Sequence, residues 1–139
     1  MHVLYVLEYA LFRSVMAMFR ALGLKRASDL GGWLARTLGP RIPVTRRARR
    51  NMALALPHLS EAERERDIAL MWDNLGRTFA EYPHLEKFWA VKPGARIDIA
   101  GMEHAIAAIS KGRGGLFVSG HCGNWEAVPR CIRDVGQKG

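Results

Sequence analysis

Gly115-Leu116-Phe117-Val118-Ser119-Gly120-His121-Cys122-Gly123-Asn124-Trp125-Glu126 is the stretch on which the reading of this chain turns. Leu116 to Ser119 has the character of a short buried strand, and it runs into a His flanked by Gly120 and Gly123. Asn124 is a competent cap for a helix continuing through Ile132. On one continuous helix, positions five apart diverge by about 140°, so His121 and Glu126 could not meet. With His121 in the turn and Glu126 in the first helical turn, the carboxylate can reach back to the imidazole, and the glycines permit the reversal.

A His held by a carboxylate is a general base, because the acid fixes the tautomer and stabilises the imidazolium that forms on proton abstraction. No Ser stands in a nucleophile elbow here, so the nucleophile expected is a hydroxyl of the substrate itself. Backbone amides at the helix start could hold negative charge developing on a carbonyl oxygen. Two rival readings use the same residues. Cys122 could be a thiol nucleophile activated by His121, although chain neighbours seldom aim their side chains at one another. A metal site from His121, Cys122 and Glu126 lacks a recognisable spacing and a fourth ligand, so no metal is expected.

Working upstream, Arg96-Ile97-Asp98-Ile99-Ala100-Gly101 alternates like a short strand, Met102 to Ser110 reads as a helix, and Lys111 to Gly115 as a loop. Strand, helix, strand in this order predicts a right-handed parallel crossover, with ligands gathering at the carboxyl ends of the strands. The expected fold class is therefore α/β, with amino-terminal helices followed by the start of a strand-helix-strand sheet that is incomplete.

The helices before it have their own signals. Ser60-Glu61-Ala62-Glu63 is a capping box, and Ile68, Met71, Trp72, Leu75, Phe79 and Tyr82 then recur at three- and four-residue steps until Pro83. Asn74, Arg77 and Glu81 fall on the less apolar side of that helix; Arg77 could pair with Glu81, or the three could form a solvated face. Thr45 is placed to cap a helix running to Leu56 and stopped by Pro57. Val3 to Leu24 is a dense apolar run interrupted by Glu8, Arg13 and Arg20, with His2, Arg13 and Arg20 on one stripe. Central charges cost about 2.5–3.5 kcal/mol on insertion scales, so lying in a membrane interface suits this helix better than spanning. No basic leader precedes the run, which argues against a cleaved signal.

The net charge of +8 is unevenly spread. Residues 1–60 carry ten Lys/Arg against two acids, while residues 61–139 carry eleven of each, so the whole excess is amino-terminal. Arg46-Arg47-Ala48-Arg49-Arg50 concentrates it beside the apolar run, a pairing suited to an anionic lipid leaflet. A nucleic-acid partner is not expected, since no recognition helix, zinc-finger spacing or aromatic sheet signature accompanies the arginines. Cys122 and Cys131 match neither a metal pair nor a redox motif and are expected to be free thiols.

The string Gly115 to Glu126 closely resembles the active-site signature of the lauroyl/myristoyl transferases, the late acyltransferases of lipid A biosynthesis. Arg50-Asn51-Met52 ahead of Pro57, and Asn74-Leu75-Gly76-Arg77 with Glu81, resemble that family in order and spacing. The resemblance implies an acyltransferase that moves a fatty acyl group from acyl-acyl carrier protein to a hydroxyl of a lipid A precursor. His121 would be the general base, Glu126 its orienting acid, and Gly123, Asn124 and Trp125 substrate-binding residues. It further implies no cofactor, attachment to anionic lipids on the cytoplasmic face of the inner membrane through a helix over residues 1–26, and an acyltransferase domain over 27–139. Cys122 stands where the family commonly has an aromatic or bulky residue. Family members are roughly twice as long, so the chain is expected to be an amino-terminal fragment, poorly stable and inactive alone. Alternatives are a relative acting on another glycolipid or a glycerol phosphate, or a non-catalytic membrane-surface adaptor.

Overall fold

The computed structural model describes residues 2–88, 97, 99–110, 116, 118, 120, 122–126, 128 and 129. Five α-helices appear among them: α1 His2–Leu22, α2 Leu24–Leu38, α3 Thr45–Ala55, α4 Glu61–Glu81 and α5 Met102–Ile109. Short 3-10 segments lie at Gly39–Arg41 and Tyr82–Lys87. The chain divides into two compact units, Met1–His84 and Leu85–Gly139.

The first unit is built around the pairing of α2 with α4. Gly31 and Gly76 let the two backbones touch: a Cβ on either glycine would run into the carbonyl group of the other. Ala27 and Ala80, both fully buried, continue this seam, and Phe19 of α1 closes over it. Beside the seam, Phe79 makes edge-on contacts with Phe12, Phe19 and Tyr82 at centroid distances of 6.2–6.4 Å. The turn from α1 into α2 is made at Gly23, whose φ of 75° would strain any residue with a side chain. His84 is buried and its Nε2 donates to the Phe19 carbonyl at 3.0 Å, so the end of the long helix is tied to α1.

Local sequence signals account for most helix limits in this unit. The capping box forms: Ser60 Oγ accepts from Glu63 N–H, and the Glu63 carboxylate accepts from Ser60 N–H at 2.8 Å. Thr45 behaves differently from the cap expected of it. It is the first residue of α3, buried, with its hydroxyl donating to the Gly39 carbonyl at 2.6 Å and accepting from Trp72 Nε1 at 3.1 Å. The half-buried Trp72 indole N–H takes this hydroxyl as its acceptor, so Thr45 joins α3 to α4 instead of capping α3. α2 carries Gly31-Gly32 at its middle, where two glycines weaken the helical signal of the sequence.

The α/β expectation is overturned: every regular element among the described residues is a helix. Ile97, Ile99 and Ala100 lie in no strand, and neither do Leu116 and Val118, which are 92% and 90% exposed. A strand exists only by pairing with another, and a buried one must also be covered. An apolar alternation states that a segment could be buried; it does not supply the partner. Of the expected crossover, the helix forms, as α5, and it ends one residue before Ser110.

Candidate active site

Residues 122–126 form a tight turn rather than the start of a helix: Trp125 N–H donates to the Gly123 carbonyl at 2.8 Å, two residues back. Val128 N–H then donates to the Trp125 carbonyl at 3.1 Å, and Val128 and Pro129 are helical. The turn presents its residues unevenly. Cys122 and Trp125 are exposed, and Gly123, Asn124 and Glu126 are half-buried. Gly123 has no left-handed backbone, and among the described residues a Cβ there would meet nothing within 4 Å. His121 lies outside the described residues, as do the strand residues Phe117 and Ser119 and the expected helix beyond Pro129, with Cys131 in it.

The second set of singled-out residues, Asn74 to Glu81, belongs to the first unit and does structural work there. Arg77 turns away from a solvated face and clamps α4 to α2. Its Nε donates to Asp73 Oδ2 at 2.7 Å and its Nη1 to Asp29 Oδ1 at 2.8 Å. Ser28 Oγ, 3.4 Å from the same Nη1, donates to Glu81 Oε1 at 2.8 Å. The hydrogen bonds to Asp29 and then Asp73 push the Arg77 guanidinium further up from its already high range. Asp29 is held below the usual carboxylate range by its hydrogen bonds from Lys25 and Arg77. Asn74 is exposed. Sequence reasoning missed Ser28, Asp29 and Asp73, although Asp73–Arg77 stands at the four-residue spacing that pairs charges on a helix.

The basic block divides by role. Arg49 is held in place, its guanidinium donating to both carboxylate oxygens of Glu65 at 2.5 and 2.8 Å and to the Pro40 carbonyl at 2.9 Å. Arg46, Arg47 and Arg50 are exposed and line one hollow with Pro43 and Val44. At the other end of the charge-rich half, the first ten residues of α1 hold their apolar side chains outward, with Val3 74% and Leu11 67% exposed. No helix among the described residues is long and apolar enough to cross a membrane.

Against known protein families, residues 1–138 match the model of the bacterial lipid A biosynthesis acyltransferases. The chain belongs to that family. No curated protein and no solved structure matches it. Membership makes acyl transfer in lipid A biosynthesis the activity of this acyltransferase, with a lipid A precursor and an acyl donor as its substrates. The match runs through both units, so the helical first unit is as much a part of the acyltransferase as the turn at Gly123.

Proposed function

We propose that this acyltransferase moves a fatty acyl group from acyl-acyl carrier protein to a hydroxyl of a lipid A precursor, with His121 taking the hydroxyl proton and Glu126 orienting and charge-balancing His121. The observation that carries the proposal is the string Gly120 to Glu126 within a family match over residues 1–138. In chemical terms, the hydroxyl oxygen attacks the thioester carbonyl while its proton passes to the imidazole. The thiolate of the carrier then leaves and takes the proton back. The half-buried position of Glu126 suits a carboxylate that must face a protein group rather than bulk water. Gly123, where an added Cβ would meet nothing within 4 Å among the described residues, leaves a substrate room in the turn that carries Glu126, between Cys122 and Asn124. The reaction needs no cofactor.

The enzyme works, in this reading, at the cytoplasmic face of the inner membrane. Outward apolar residues in the first half of α1 enter the interface, and the surplus of arginines faces anionic headgroups. That charge also suits an acidic carrier protein.

Acyl transfer from a carrier thioester to a lipid A precursor, assayed with the protein, tests the pair. His121→Ala and Glu126→Ala should each lower turnover by about 10²–10⁴-fold while sedimentation with vesicles of phosphatidylglycerol is retained. Undiminished turnover in either variant removes the proposed roles.

A further inference from the structure

We propose that the outward face of α3, where Arg46, Arg47 and Arg50 line one hollow, is the docking surface for the acidic carrier protein that delivers the acyl thioester, an assignment that rests on the acyl transfer proposed above. Helix geometry divides α3 into two arcs. Thr45, Ala48, Arg49 and Met52 share the arc turned to the fold and are buried or half-buried, with Arg49 held by Glu65. Arg46, Arg47, Arg50 and Leu54 share the opposite arc, and all four are exposed. The three arginines, with Pro43 and Val44, surround a hollow of about 410 Å³.

The fold itself gives these arginines little to do. No acidic side chain among the described residues pairs with Arg46, Arg47 or Arg50. Arg46 and Arg47 stand in the first turn of α3, which holds no acid, and cations there oppose the helix dipole. Three like charges gathered at one hollow raise the local potential, which draws carboxylates in and speeds encounter with an acidic partner. A protein suits this face better than a leaflet does. A helix lying in a lipid interface turns its apolar face to the chains. The first half of α1 holds apolar residues outward, but α3 turns Ala48 and Met52 inward and leaves Leu54 as the one large apolar residue on its outward arc. A hollow also receives side chains projecting from a convex partner, such as carboxylates on a helix, whereas a leaflet offers a plane. Arginine beside exposed apolar residues, here Val44 and Leu54, is a composition of protein–protein interfaces. Attachment to the leaflet is left to α1 and to basic residues outside the hollow, such as Arg13 and Arg26.

The test titrates the full chain calorimetrically with acyl-acyl carrier protein in dodecyl maltoside, free of lipid, and sediments the same variants with vesicles of phosphatidylglycerol. Expected is saturable one-to-one binding of the carrier. Arg46→Gln with Arg47→Gln should weaken it at least tenfold, with helical circular dichroism and vesicle sedimentation retained. Arg13→Gln with Arg26→Gln, an equal loss of charge on exposed residues outside the hollow, should weaken it less than twofold. Arg50→Gln, a single exposed change, should weaken it at least threefold and serves where the pair perturbs the helix. Equal weakening by the two arginine pairs would show diffuse attraction and overturn the surface. Loss of vesicle sedimentation in the Arg46 and Arg47 variant, with carrier binding intact, would make this face a leaflet contact and overturn it as well. Acyl transfer from the carrier that persists while carrier binding ignores the arginines removes the docking surface and leaves the proposed function standing. Carrier binding that depends on the arginines, without any transfer to a lipid A precursor, removes the function and leaves the surface.

Discussion

At the α2–α4 crossing, Gly31 and Gly76 meet backbone to backbone and Arg77 bridges three polar residues around them, whereas in the second unit Leu116 and Val118 stand 92% and 90% exposed. The Asn74 to Glu81 side of that crossing and the string from Gly115 to Glu126 both stand out in the sequence by small, specific residue patterns. In the first, the pattern turns out to describe packing. In the second, packing among the described residues gives little reason for the apolar run, and the chemistry proposed for the string beside it is what the predictions must test. A residue kept for catalysis and one kept for the fold can leave similar marks in a single sequence, and the geometry at Arg77 identifies the second kind.

The sharpest way to break this contrast is to overfill the crossing. Gly76→Leu gains up to about 1 kcal/mol of helix propensity, but its Cβ strikes backbone, which cannot rotate away as a side chain would. Overpacking of this kind costs typically about 1–3 kcal/mol, and the rigid neighbour places it near the upper end. A loss of unfolding free energy of that size is expected in a urea melt; an unchanged midpoint would show that the helices do not meet there. Gly123→Ala is its counterpart in the second unit, with open space around the added methyl, and should leave the melt unaltered.

What could be read from the sequence follows the same division. The capping box at Ser60 and the stop near Pro83 are local events, decided within one helical turn, and they occur as expected. Thr45 departs from the cap its sequence suggests because its partners, Gly39 and Trp72, come from separate elements. The expected sheet is missing among the described residues for a stronger form of the same reason. Alternation over Ile97–Ala100 and an apolar run from Leu116 specify a face to be covered, while strand existence depends on a neighbour that no local pattern supplies. The site string was legible as a motif, and the family match agrees with the resemblance it carried.

A second, smaller perturbation sharpens the packing role of the Asn74 to Glu81 motif. Arg77→Met keeps length and apolar stem but removes the donors to Asp29 and Asp73. Asp73 is largely buried, with only 15% of its side chain exposed, so it would lose its nearest charged partner where water replaces it poorly. Because Arg77 itself is 38% exposed, screening limits the loss to about 1–2 kcal/mol in a urea melt. A loss of acyl transfer without a loss of stability would instead place Arg77 in the chemistry.

Ser60→Ala probes a single end of α4 and should cost about 1 kcal/mol at neutral pH. The Ser60 side chain, then the Ser60 backbone N–H, hold the Glu63 carboxyl below its usual range. A carboxyl depressed in the folded state contributes stability above its unfolded pKa and loses it as pH falls through the folded one. The gap between wild type and variant should therefore narrow on acidification below about pH 4.3, the ordinary range of glutamate. A gap that widens would mean the carboxylate opposes the cap.

The smallest expected effect is the most direct check on the corrected fold. Leu116→Ser with Val118→Ser removes two branched apolar side chains from positions that a parallel sheet would bury. Large-to-small changes at covered aliphatic positions cost about 2–5 kcal/mol each for Leu. At the observed exposures nothing is uncovered by the change, and surface substitutions away from special features stay within about 0.5 kcal/mol. A double variant whose midpoint matches the wild type's supports the helical reading of the described residues. A loss of several kcal/mol would show that Leu116 and Val118 are covered after all, and the role of the second unit would then have to be argued from packing as well as from the string that ends at Glu126.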